Sequence, residues 1–80
     1  MYEIETVTPL SNYRLLLKFK GTEDARVWDA SFLLDKPVFR PLKNVAVFNT
    51  VRLVNGIVTW FEDLDLDTDN LYYQSEVYHG

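Results

Sequence analysis

Near the end of this chain, in WFEDLDLDTDNLYY, aspartate recurs at every second position: Asp63, Asp65, Asp67 and Asp69. Carboxylates so spaced could ring a hard cation, work as an acid and base pair, or offer negative charge to a basic partner. Counted from Asp65, acids fall at positions one, three and five of a calcium loop, and Glu76 falls at position twelve. Asn70 stands where such a loop carries glycine, and asparagine tolerates the left-handed backbone next best. The flanks do not fit. The entering segment, GIVTW, reads as a strand, and only four residues follow Glu76. A weak calcium-binding module over 65–76 is therefore the alternative, not the leading expectation.

Catalysis has little else to work with. The chain has no cysteine, one histidine next to the last residue, and three scattered glycines that form no phosphate-cradling loop. No catalytic residue, metal site or cofactor is expected. Cysteine's absence also removes disulfides and thiolate metal sites, which fits a reducing, cytoplasmic setting. The opening MYEIETVTPL has neither a basic region nor a long apolar run, so no leader or membrane association is expected. The net charge is −4, so direct nucleic-acid binding is not expected either. That charge is uneven. Residues 1–60 carry +2, and residues 61–80 carry −6 with no Lys or Arg. The acidic end either faces a basic partner or folds over the chain's own Arg and Lys.

These residues must be positioned by one small domain spanning 1–80. YRLLLKF alternates, with Tyr13, Leu15, Leu17 and Phe19 on one face and Arg14, Leu16 and Lys18 on the other. EIETVTPL before it and ARVWD after the KGTED turn complete a three-strand meander, with Pro9 at an edge or exit. Pro37 and Pro41 forbid a long helix in ASFLLDKPVFRPLKN. Phe32, Leu33, Leu34 and Phe39 are expected to anchor that crossing loop, and Asp29 to cap its start. NVAVFN suits either a strand, from its valines, or a short helical turn capped by Asn44 that carries Phe48 inward; the turn is preferred.

In VRLVNGIVTW, Asn55-Gly56 marks a type I′ hairpin. It sets Val54 opposite Ile57, Leu53 opposite Val58, Arg52 opposite Thr59 and Val51 opposite Trp60. Val51, Leu53, Val58 and Trp60 then form the core face. The expected fold is α+β: a small antiparallel sheet of about five strands (the meander plus the C-terminal hairpin), with short helical turns and a covering loop. Beyond the hairpin, Leu64 and Leu66 turn inward, Asp67 caps a helix beginning at Thr68, and Asp69 sits in its first turn. On this preferred reading most of the acids are structural or simply solvated.

Trp60, Asp65, Leu66, Asp69, Leu71 and Tyr72 in WFEDLDLDTDNLY follow a known C-terminal pattern. Upstream, PLSNYRLLLKF looks like an opening strand pair. WDASFLL supplies Asp29, Leu33 and Leu34, and FRPLKNVAVFNTVRL the spacing of Phe39, Leu42, Phe48 and Val51. On these residues the chain resembles a family of small bacterial proteins catalogued as domain of unknown function 2442. It departs from the family pattern at the glycine after the tryptophan, near Asp63, and at the proline, here Thr68. The resemblance carries over no catalytic residues. Some members are encoded beside small toxin-like partners, so it implies an interaction or regulatory module, antitoxin-like in role.

The leading expectation is thus a non-enzymatic protein–protein interaction module with an unidentified, basic partner. Asp63, Asp65, Asp69, Tyr72 and Tyr73 would form its acidic aromatic surface, with Trp28 as a further platform if it is not core. A homodimer through Val54, Ile57 and Leu16, whose side chains face away from the expected core, is the competing expectation.

Overall fold

The structure, a computed structural model, describes residues 1–61 and 64–79. Strands β1 (Ile4–Leu10), β2 (Arg14–Phe19) and β3 (Ala25–Asp29) form the meander. Its register places Val7 opposite Leu17 and Pro9 opposite Leu15 on one side of β2, and Trp28 opposite Leu15 on the other. Pro9 is tolerated because β1 is the sheet's edge. The β1–β2 turn holds Asn12 and Tyr13 at φ of 62° and 59°. That conformation is unfavourable for an aromatic residue. Tyr13 is held there because its hydroxyl donates to the Lys43 carbonyl and its ring packs edge-on against Phe48, 5.4 Å between centroids.

Pro37 and Pro41 limit the crossing segment to two 3-10 helices, Ser31–Leu33 and Pro37–Lys43. Asp29 starts the first, its Oδ1 accepting from Ser31 N at 2.8 Å and Ser31 Oγ at 2.7 Å. Leu34 and Leu42 are buried and Leu33 and Phe39 pack partly, but Phe32 is 57% exposed. It corrects the expected anchor set, because it rests edge-on against Trp28 at the rim of the core. The preferred turn at NVAVFN is helix α1 (Val45–Phe48). Asn44 Oδ1 accepts from Ala46 N, and Phe48 is buried.

Strands β4 (Arg52–Val54) and β5 (Ile57–Thr59) pair in the expected register as far as Arg52 opposite Thr59. Asn55 at φ 53° and Gly56 at φ 79° supply the turn. The strands divide differently from a single sheet of about five. The hairpin is a two-stranded sheet of its own, and the meander gains a fourth member, β6 (Glu76–Val77), beside β3. The α+β antiparallel class holds. Past the hairpin the chain doubles back along β5. Trp60 N donates to Leu64 O, Leu66 N donates to Val58 O, and Asp65 bridges to Thr59. Helix α2 (Thr68–Gln74) follows.

One layer of side chains joins all of this. Leu15, Leu17, Phe19 and Trp28 from the meander meet Leu34, Leu42, Phe48, Val58, Trp60 and Leu71, all buried. Trp60 is fully buried in it, its Nε1 donating to the Phe48 carbonyl at 2.9 Å. The buried core lies on the Leu15, Leu17 and Trp28 side of the meander. Among the described residues no helix or second sheet contributes buried side chains to the face bearing Arg14, Leu16 and Lys18, at whose edge Tyr78 and His79 line a shallow depression. Among the described residues no helix is long and apolar enough to cross a membrane.

Candidate interaction surface

Asp67 and Asp69 are both engaged by the fold. Asp67 caps α2, its Oδ2 accepting from Asn70 N at 3.1 Å. A carboxylate there satisfies a free backbone donor and complements the positive end of the helix. Asp69, in the first turn, accepts through Oδ1 from Tyr2 N at 2.9 Å. That bond fastens the start of the chain to its last helix. Tyr2 then stacks flat on Tyr72, with centroids 3.8 Å apart, and stands edge-on to Phe19 and Tyr73. Desolvation first, and then the neighbouring Tyr72 and Tyr73 phenols, raise the Tyr2 phenol above its ordinary 10.0.

Asp65 and Tyr73 are different. Asp65 lies on the segment beside β5 and is exposed, and Tyr73 is 71% exposed. Between Asp65, Asp67 and Asp69 runs a depression of about 470 Å³, whose apolar wall comes from Met1, Tyr2 and Ile57. Ile57 is 39% exposed, and Met1 stands fully in solvent. The surface therefore combines carboxylates with uncovered apolar groups. That suits the aliphatic stem and charged head of lysine or arginine.

The expected site residues divide accordingly. Asp65 lines this depression, whereas Tyr73 stands outside its lining, joined to it through Tyr2, whose ring centroid is 5.7 Å from its own. Asp69 and Tyr72 border it but are half-buried and already bonded or stacked. Asp63 lies outside the described residues. Trp28 does not belong, which corrects its place in the expected surface. It is 1% exposed, its Nε1 donates to Gln74 Oε1 at 3.1 Å, and its face of β3 is covered by α2. Arg26, which shares that face, is accommodated because its guanidinium lies 4.3 Å from the Tyr72 ring centroid and bonds Ser75 Oγ and O, each at 2.7 Å.

Sequence spacing also suggested a calcium loop. In the fold, Asp65 lies beside β5, Asp67 caps a helix, Asp69 holds the N-terminal segment and Glu76 belongs to β6. Helix α2 intervenes before Glu76. Among the described residues no three acidic or histidine groups gather as a metal site. The idea that the acidic end folds over the chain's own cations also meets a different arrangement. Among the described residues the ion pairs are Lys20–Glu3 and Lys43–Asp35, and neither uses a carboxylate from 64–79. Met1 and Tyr2 were not foreseen as part of the surface, since nothing local marks residues that join it only through a bond 67 positions away.

A family model described as protein of unknown function (DUF2442) matches residues 4–76. Neither the curated proteins nor the solved structures yield a match.

Proposed function

The chain belongs to the DUF2442 family, and we propose that it is a non-enzymatic protein–protein interaction module of the bacterial cytoplasm, antitoxin-like in role. Its acidic C-terminal surface docks on a basic segment of a partner protein. One observation carries this reading: among the described residues no ion pair uses a carboxylate of the C-terminal segment. Asp65, Asp67 and Asp69 border a depression with uncovered apolar walls. A surface of one sign steers a partner of the other, and apolar contact beside it adds affinity. Asp65, Tyr73 and Ile57 are the contact groups, whereas Asp67 and Asp69 hold the surface in shape.

The test is co-purification of the tagged chain from its own host, wild type against Asp65→Asn/Tyr73→Ser. Asp65 is exposed and, among the described residues, free of side-chain bonds, but Tyr73 stands edge-on to Tyr2 and Tyr72. The variant should therefore lose some thermal stability while circular dichroism at the assay temperature shows it folded. A partner recovered with the wild type and lost with the variant supports the reading. Equal recovery refutes the surface. Asp69 is left intact, because replacing it would disturb the Tyr2 bond as well as the charge.

A further inference from the structure

The uncovered face of the four-stranded sheet is unusual in its centre. An antiparallel sheet with one face in solvent normally shows polar groups there. Here the register defines rows across the strands. One row reads Leu10, Arg14, Asp29; the next Thr8, Leu16, Val27, Glu76; the third Thr6, Lys18, Ala25. The middle of the face is the apolar cross-strand pair Leu16 and Val27, both half-exposed. Neither joins the buried core on the other side. Tyr78, 43% exposed, lies two residues beyond Glu76 and donates its backbone N–H to Ala25 O.

The charges are sorted by strand. The cations Arg14 and Lys18 are on β2, and the anions Asp29 and Glu76 are on β3 and β6. Arg14 and Asp29 are register partners, yet the pair does not close to ion-pair distance within the chain. Arg14 Nε donates to Ser11 O, and its terminal nitrogens have no hydrogen-bond partner among the described residues. Asp29 uses Oδ1 for Ser31, and its Oδ2 has no hydrogen-bond partner among the described residues.

We propose that this face is self-complementary and that a second copy of the chain covers it, related by a two-fold axis running along the strands between β2 and β3. That operation lays Leu16 of each copy over Val27 of the other and Arg14 over Asp29, twice by symmetry. The charge pattern selects this axis. An in-plane axis across the strands would instead set Arg14 over Lys18. Aligned sheets pack at about −30°, so the pairs nearest the axis, which are these, stay in contact. Four strands spaced by about 4.8 Å and five residues rising about 3.4 Å each give a face of roughly 19 by 17 Å. With side-chain relief a dimer would bury roughly 1,000 Å² in total, at the low end for specific interfaces. An interface of this size is expected to be weak and reversible. This surface is separate from the acidic one proposed to bind a partner. It also separates the apolar groups first considered together, since Val54 and Ile57 lie on the other sheet.

Sedimentation equilibrium from about 10 micromolar to about 1 millimolar tests the proposal on wild type, Leu16→Lys, Val27→Glu and an equimolar mixture of the two variants. The wild type should dimerise over this range. Each variant alone should weaken association at least tenfold, since each places an unpaired charge twice over an apolar group. In the mixed pair the introduced lysine lies over the introduced glutamate, and the unaltered Val27 lies over the unaltered Leu16. Association should return there as a heterodimer. A wild type that stays monomeric throughout, single variants that dimerise as wild type does, or a mixture that fails to associate would each overturn the proposal. Thermal midpoints of both variants show that the loss is not one of folding.

Discussion

Replacing Asp67 with alanine separates the structural acids from the surface acids. Asp67 Oδ2 accepts the Asn70 N–H at 3.1 Å and is exposed. Removing such a cap costs about 1 kcal/mol, and losing the negative charge at the helix start adds about 0.3–1 kcal/mol. The loss should appear in global stability rather than as local fraying, because α2 carries the buried Leu71 and the stacked Tyr72 into the core. A destabilisation of 1–2 kcal/mol lowers the midpoint of a domain this size by roughly 4–16 °C. Asp65→Ala is the control. Asp65 is an exposed aspartate two residues away, and its loss should stay within about 0.5 kcal/mol. Thermal unfolding followed by circular dichroism, with urea unfolding for the free energies, measures both. Equal effects from the two substitutions would refute the division of labour among the acids.

Further outcomes follow from the same geometry. Trp60→Phe removes the donor to the buried Phe48 carbonyl and leaves a void, and urea unfolding should show a loss of about 2–4 kcal/mol. The Tyr2 amide, donated to Asp69, should exchange with solvent measurably more slowly than in an unstructured peptide, and Asp69→Ala should release it in a hydrogen-exchange NMR experiment. Hydrogen bonds from Ser31 Oγ and N, with Arg14 adding a smaller attraction, lower the Asp29 carboxyl below its ordinary 3.8. A depressed carboxyl stabilises the fold above the unfolded value and loses that contribution as pH falls through the folded one. The stability difference between wild type and Asp29→Asn should therefore be constant near neutrality and shrink below about pH 4 in acid titrations of urea unfolding.

The sequence made the local devices readable, because each depends on neighbours in the chain. Alternation in RLLLKF placed Leu15, Leu17 and Phe19 inward. Asn55-Gly56 fixed the hairpin register, and Asn44 and Asp67 act as the caps that their types favour. What stayed hidden depends on distant partners. Strand β6 is two residues long and has no pattern of its own; it exists because β3 offers a free edge. Trp28 beside Arg26 looked like an ambiguous face, since Tyr72 and Ser75, which cover it, come 46 and 49 positions after Arg26. The candidate surface was half visible. The acids and Tyr73 stand out by type, but the contributions of Met1, Tyr2 and Ile57 arise only when the N-terminal segment and the hairpin meet α2.

Calorimetric titration of the recovered partner into the wild-type chain at about 50 mM and about 300 mM salt tests the central claim most directly. Screening over that range shortens the reach of exposed charges by more than half. If open carboxylates around the Met1–Ile57 depression attract a basic segment, affinity falls several-fold as salt rises, and Asp65→Asn both weakens binding and flattens that dependence. An affinity indifferent to salt and to Asp65 would contradict it.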